Sequence, residues 1–300
     1  TSKTGIAYGI TGGLASCLMY YNMDQFEEAG ITTPPENWEE FLEVCKKLKD
    51  AGYTPLIYPG GDPWTPLNAQ FSYGLAQNLV GKDPDYRKKI DEGTMNYNTP
   101  GMADVFAKIR ALPEAGYTQE GFMSTGYDDS TQLFIQGKGA MIFQGTWLTS
   151  QLVEHGNFNV GVFLPPWNNK GETKVPVVSS ETGFAVSAKS DEAHRDAALK
   201  LLDYITVGPG FNMYQNKRMC IPGFKSETIQ GEIKLAPQVM EVMDEISKYK
   251  VTAPFSWAYL PPVAGGEAAQ KLVQEVAMGT KTPQQAAEDF DRMIKESANE

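Results

Sequence analysis

Histidine, cysteine and long hydrophobic runs are all scarce in this chain of 300 residues. The two histidines, His155 and His194, sit in polar helical stretches and read as surface residues. That removes most metal chemistry and any His-dependent triad. Cys17, Cys45 and Cys220 are odd in number and scattered, with no CxxC pair, so they read as small buried hydrophobes and not as a disulfide or metal framework. No apolar run reaches the roughly 18 residues that a membrane-spanning helix needs. Positive charge is also short: 26 Lys and Arg against 37 Asp and Glu leave a net charge of -11, which argues against nucleic acid or an anionic membrane surface as partner. There is no G-x-S-x-G elbow, no phosphate-binding G-x-x-x-x-G-K-[ST], and "GGLAS" lacks the third glycine of a dinucleotide fingerprint. No catalytic residue, metal or cofactor is expected.

What is present is an α/β pattern with enough chain for two cores. "GLASCLMYYN" (13–22) reads as a buried strand. Asn37, with Glu40 three residues on, opens a helix whose apolar face is Phe41, Leu42, Cys45 and Leu48 and which Gly52 stops. Thr99-Pro100 opens another, with Val105, Ile109 and Leu112 inward. Asp128 is expected to cap "DSTQLFIQ", "GAMIF" to form a strand, and Thr146 to cap a helix that Gly156 closes. A strand over 159–166 and two strand-like halves around Ser180–Gly183 come next, then a helix from Asp191 with Ala198, Leu201, Leu202 and Ile205 inward. Helices over 236–250, Gly266–Met278 and Pro283–Ser297 finish the chain.

The tryptophans carry the functional signal. Trp64 lies between two prolines in "GGDPWTPL", Trp147 at the strand-to-helix corner of "QGKGAMIFQGTW", Trp167 after "LPP", and Trp257 in "PFSWAYLPP"; only Trp38 opens an ordinary helix. Flat apolar faces at the corners of an α/β fold suit stacking on a pyranose ring, with polar groups to fix its hydroxyls. Asp62, Asn68, Gln144 and Glu181 are the polar candidates. The carboxylate pair Asp128-Asp129 is explained by helix capping, since adjacent residues point apart.

Four stretches, in order, carry a resemblance: "LMYYNMDQFEEAGITTPPENWEEFLEVCKKLKDAGYTPL", "LFIQGKGAMIFQGTW", "SSETGFAVSAKSDEAHRDAALKLLDYIT" and "MGTKTPQQAAEDFDRMIKE". The chain resembles the family 1 extracellular solute-binding proteins of ATP-driven sugar importers, the maltose-binding type. The resemblance implies a two-lobed, type II periplasmic-binding-protein-like α/β fold that closes on a sugar between its lobes. It implies a non-enzymatic, monomeric receptor with a carbohydrate ligand and the permease subunits of an ABC transporter as partners. It further implies an extracytoplasmic place, in the periplasm or as a cell-surface lipoprotein.

Trp147 is similar to the family's "G-x-W" tryptophan and Trp64 to its aromatic-plus-proline loop, both stacking positions. "TGGLAS" falls at the first crossover and "SSETG" at the second, which adds Gly12, Gly13 and Glu181, beside Asp62, to the expected ligand-binding set. Trp167 and Trp257 match less clearly and are expected at the surface or rim. The expected division puts residues 13–180 and 250–300 in a nearly complete lobe. Residues 1–12 and 181–249 are then the hinge and the remaining segment of the other lobe, which is expected to be incomplete, with the chain a fragment that exposes apolar faces. Three alternatives stand beside this reading: a carbohydrate-active hydrolase, which would need two carboxylates facing across the cleft; a binder of a non-sugar solute such as a peptide, polyamine or metal chelate; and a surface adhesin or sensor that has kept the fold while losing transport.

Overall fold

A computed structural model describes residues 8–180, 183–218, 221, 223, 235–260 and 264–297. Two short antiparallel pairs open the architecture: β1 (Ile10–Thr11) and β2 (Leu14–Ala15) each take a partner from far along the chain. Beyond them β3 (Cys17–Asn22) is buried, and Asn22 turns it into α1 (Met23–Glu28) by accepting the backbone N–H groups of Asp24 and Gln25. The helix α2 (Trp38–Asp50) starts as the capping box expected of it. Asn37 Oδ1 accepts from Glu40 N at 3.1 Å, and the Glu40 carboxylate accepts from Glu36 N and Asn37 Nδ2, both at 2.8 Å. These donors, Glu36 N first, hold the Glu40 carboxyl below the usual carboxylate range.

After β4 (Leu56–Ile57), a helix was not expected at Trp64. The chain nevertheless enters α3 (Trp64–Pro66), widens to π geometry over Leu67–Phe71, tightens into α4 (Ser72–Leu75) and widens again over Ala76–Val80. The prolines are no obstacle, because Pro63 precedes the helix and Pro66 lies in its first turn, where a backbone N–H would have no intrahelical partner. There follow α5 (Tyr86–Asp91), α6 (Pro100–Glu114, capped by Thr99 as expected) and α7 (Tyr127–Ile135). Asp128 does not cap α7: the helix starts two residues earlier, at Tyr127, and Asp62 supplies the cap from a distant loop, its Oδ2 accepting from Tyr127 N at 2.6 Å. Next, β5 (Met141–Gly145) ends two residues later than expected because its ladder with β3 runs on to Cys17↔Gly145. The strand leads through a tight turn at Thr146–Leu148 into α8 (Thr149–His155), then β6 (Val160–Phe163), β7 (Ser179–Ser180) and β8 (Gly183–Phe184). Four longer helices and one short one close the described chain: α9 (Glu192–Thr206), α10 (Phe211–Arg218), α11 (Pro237–Ser247), α12 (Ala269–Ala277) and α13 (Pro283–Ser297).

The main sheet has the order β4-β5-β3-β6, with β3 antiparallel to both neighbours and β4 parallel to β5. Alternation along β3 and β5 sends Met19, Met141 and Phe143 to one face, where they join the core closed by α2, α6, α12 and α13. Leu18, Tyr20 and Ile142 go to the other face, against α7, α8 and Val242 of α11. So α11, which lies in the segment 181–249 expected in the other lobe, packs on the main sheet. Helix α9 caps on Asp191 as expected, but Leu201 points outward and is 59% exposed. Cys17 and Cys45 are buried free thiols, pushed up by desolvation, while Cys220 lies outside the described residues. Trp167, expected at the rim, is 1% exposed. Tertiary packing covers it: its ring meets Trp38 at 5.1 Å and Phe143 at 5.1 Å, and its carbonyl accepts from the buried Lys108 Nζ at 2.7 Å.

Candidate ligand-binding site

The two short strand pairs run side by side. β1 pairs with β8 (Ile10↔Phe184) and β2 with β7 (Leu14↔Ser180), and Thr11 Oγ1 meets Ser180 Oγ at 2.8 Å. A third segment joins them: Val178 N donates to Ala253 O at 2.8 Å, and Ala253 N to Pro176 O at 2.9 Å. The carboxyl end of β5 is delivered to the same place, since Gly145 pairs with Cys17 and Thr146 N donates to Ser16 O at 2.9 Å. Ser16, the residue between β2 and β3, is itself held by Tyr73, whose hydroxyl donates to Cys17 O at 2.7 Å.

Trp147 therefore stands beside the two short strand pairs. The glycine before it is required: the indole folds back over Gly145, where a Cβ would lie 2.2 Å from the ring. Around Trp147 the aromatic side chains form a continuous arc. Tyr127 meets Trp64 at 5.4 Å, Trp64 meets Trp147 at 6.1 Å, Trp147 meets Phe255 at 6.4 Å, and Phe255 meets Trp257 at 6.0 Å. Phe255 is buried beneath the arc, Tyr127 and Trp147 are half-buried, and Trp64 and Trp257 stand 36% and 45% exposed. Rings left open to solvent at a corner present the flat apolar faces that a ligand can cover. Trp147 also turns a buried indole N–H without a hydrogen-bond partner, and the same holds for Thr146 Oγ1 and Gln144 Nε2.

The sequence candidates separate on this geometry. Trp64 and Trp147 come together in the arc. Asp62 lies at its foot, where it joins the loop carrying Trp64 to the start of α7 carrying Tyr127; Gly60 N and Gly61 N add bonds to Phe122 O (3.0 Å) and Thr125 O (2.9 Å). Asn68 is half-buried with an unpartnered Oδ1 in the π turn behind Trp64, and Gln144 is fully buried. Gly12 and Gly13 are buried between β1 and β2: Gly12 O accepts from Gln215 Nε2 at 2.7 Å, and Thr11 Oγ1 bonds both backbone groups of Gly13. Glu181 lies outside the described residues. Sequence reasoning missed Tyr127 and Phe255 and left Trp257 at the rim. The available signal was the density of rings in "PFSWAYLPP", a segment flanked by prolines and too short for a core element.

Residues 7–207 match the family described as bacterial extracellular solute-binding protein. A binding protein of Brucella abortus (strain 2308) is 30% identical over 207 residues, covering 67% of this chain and 47% of that protein. The sn-glycerol-3-phosphate-binding periplasmic protein UgpB of Escherichia coli (strain K12) is 24% identical over 209 residues, covering 68% of this chain and 46% of that protein. This chain thus spans about half the length of the curated relatives it matches. Among solved structures, a chitin oligosaccharide binding protein superposes with a TM-score of 0.85 at 24% identity, over 100% of this chain and 73% of that one.

Proposed function

Because this chain belongs to the bacterial extracellular solute-binding proteins, we propose that it captures a sugar or oligosaccharide on its aromatic arc and delivers it to an ABC permease. The observation that carries the reading is the arc Tyr127–Trp64–Trp147–Phe255–Trp257, set beside the crossover strands. Residues 13–180 with 250–300 form the lobe that bears the arc, with α11 packed back on its sheet. Residues 1–12 with 181–249 supply the hinge and part of the opposing lobe. Trp64, Trp147 and Trp257 stack on pyranose faces as the lobes close. Gly12 and Gly13 lie on the crossover side, and Asp62 holds the loop of Trp64 in register. The receptor works as a monomer, in the periplasm or tethered at the cell surface as a lipoprotein.

A phosphate ester such as sn-glycerol 3-phosphate is the competing ligand class, named for one relative. The neutral sugar is favoured here because the charged group tied into the arc, Asp62, is a carboxylate that repels phosphate. Calorimetric titration of neutral mono- to tetrasaccharides and of sn-glycerol 3-phosphate tests the choice. Saturable binding of a saccharide recovered unhydrolysed is expected. Binding of the phosphate ester alone, or release of hydrolysis products, would overturn the reading.

A further inference from the structure

The arc is assembled from two pieces of chain far apart in sequence, the helix that starts at Trp64 and the turn that carries Trp257. A buried polar contact joins them. Ser72 opens α4, immediately after the first π stretch, and its hydroxyl lies 2.9 Å from Leu67 O, to which it donates. The same Oγ accepts the backbone N–H of Ser256 at 3.1 Å, and Ser256 Oγ is also 3.1 Å away. Both serines are 0% exposed. Ser256 is the residue between the two rings of interest: Phe255 goes inward to Trp147, while Trp257 projects into solvent from the tight turn Ser256–Ala258. Either side of this turn is fixed by other means, upstream by the pairing of Ala253 with Pro176 and Val178, downstream by the buried Tyr259 and Leu260. Within the turn, Ala258 N donates to Phe255 O and Leu260 N to Ser256 O, and the contact to Ser72 ties the turn to the helix that follows Trp64.

We propose that Ser72 is a positioning residue for the ligand site: through Ser256 it fixes the angle of Trp257 relative to Trp64 and Trp147, so that the exposed rings meet a ligand as one preformed surface. The π stretch is what makes this possible. The wider turn brings Leu67 O within reach of both Ser72 N and Ser72 Oγ, which orients the hydroxyl lone pairs toward Ser256. A π distortion in a helix is costly and persists where the surrounding structure uses it. Removing the hydroxyl leaves a buried Ser256 N–H without a partner, and the turn relaxes to find one. This proposal rests on the arc being the ligand surface, but its first test needs no ligand.

Ser72→Ala is the informative variant, because alanine is the best helix former and leaves the helix intact. Ser256→Ala is the companion, since it keeps the backbone N–H to Ser72 Oγ bond. In near-ultraviolet circular dichroism, Trp257→Phe should remove a band from the parent protein and from Ser256→Ala. In the Ser72→Ala background the same change should remove little, because Trp257 is no longer held. An equal band lost in both backgrounds overturns the proposal, whether or not any sugar binds.

The second test is a double-mutant cycle on the affinity for a tetrasaccharide panel of chitotetraose, maltotetraose, xylotetraose and stachyose. Ser72→Ala should weaken binding of the best panel member roughly tenfold. The loss should vanish once Trp257 is already alanine, whereas losses that simply add would show that Ser72 acts on general stability and not through Trp257. If no panel member binds the parent while the dichroism result holds, the sugar reading fails and the positioning role stands.

Discussion

Helices α2 and α9 look alike in sequence, each capped by Asn or Asp and each amphipathic, yet the fold treats them differently. On α2 most of the apolar face is covered: Phe41, Cys45 and Leu48 are all 0% exposed, and Leu42 is half-buried beside them. On α9 and α10, Leu199, Leu201, Tyr204 and Met213 stand 50%, 59%, 47% and 63% exposed. Periodicity therefore reports that a helix has an apolar face, while only the tertiary structure says what covers it. The covered region is also the one that carries the rigid corner at Gly145 and Trp147.

Substitutions can break this contrast. Phe290→Ala, in α13 between Phe71 and Tyr97, should cost about 3–5 kcal/mol, whereas Leu201→Ala should stay within about 0.5 kcal/mol. Urea denaturation of both variants checks it, and equal losses would mean that α9 is covered in solution. Gly145→Ala comes next. Its methyl group collides with the Trp147 indole, so we expect about 1–3 kcal/mol of destabilisation together with a shift in tryptophan emission. An unchanged spectrum would contradict the folded-back indole.

The smallest effect belongs to Tyr58, which is 1% exposed with an unpartnered hydroxyl. Burial holds this hydroxyl well above the usual tyrosine range. Below pH of about 10 its contribution to stability is whole; above it the unfolded chain releases a proton that the folded chain retains, so stability falls as pH rises. Tyr58→Phe should be neutral or slightly stabilising at pH 7 and should flatten part of the alkaline loss. A steeper alkaline loss in the variant would refute the assignment.

Much of the local structure was legible because local chemistry decides it. The Asn37–Glu40 box, Thr99-Pro100 and Asp191 all set helix starts with groups within three residues. What stayed hidden depended on distant partners. Asp128 lost the cap of α7 to Asp62, which lies in another loop. Trp167 disappeared into the core through Trp38, Phe41 and Phe143, although its place after two prolines looked exposed. The helix at Trp64 was masked by the two prolines that begin it. For the candidate site, the sequence singled out Trp64 and Trp147, which the fold brings within 6.1 Å of each other. The arc's far end needed the contact between Ser72 and Ser256, 184 residues apart, which no local pattern shows.

The most direct measurement is a titration of the saccharide panel followed by intrinsic tryptophan fluorescence in the parent protein, Trp64→Ala and Trp147→Ala. The arc predicts a saturable change with one sugar class in the parent, and more than tenfold weaker binding in each variant with its fold intact by far-ultraviolet circular dichroism. Binding of the same strength in all three proteins would show that the rings are packing residues and that the ligand is held elsewhere.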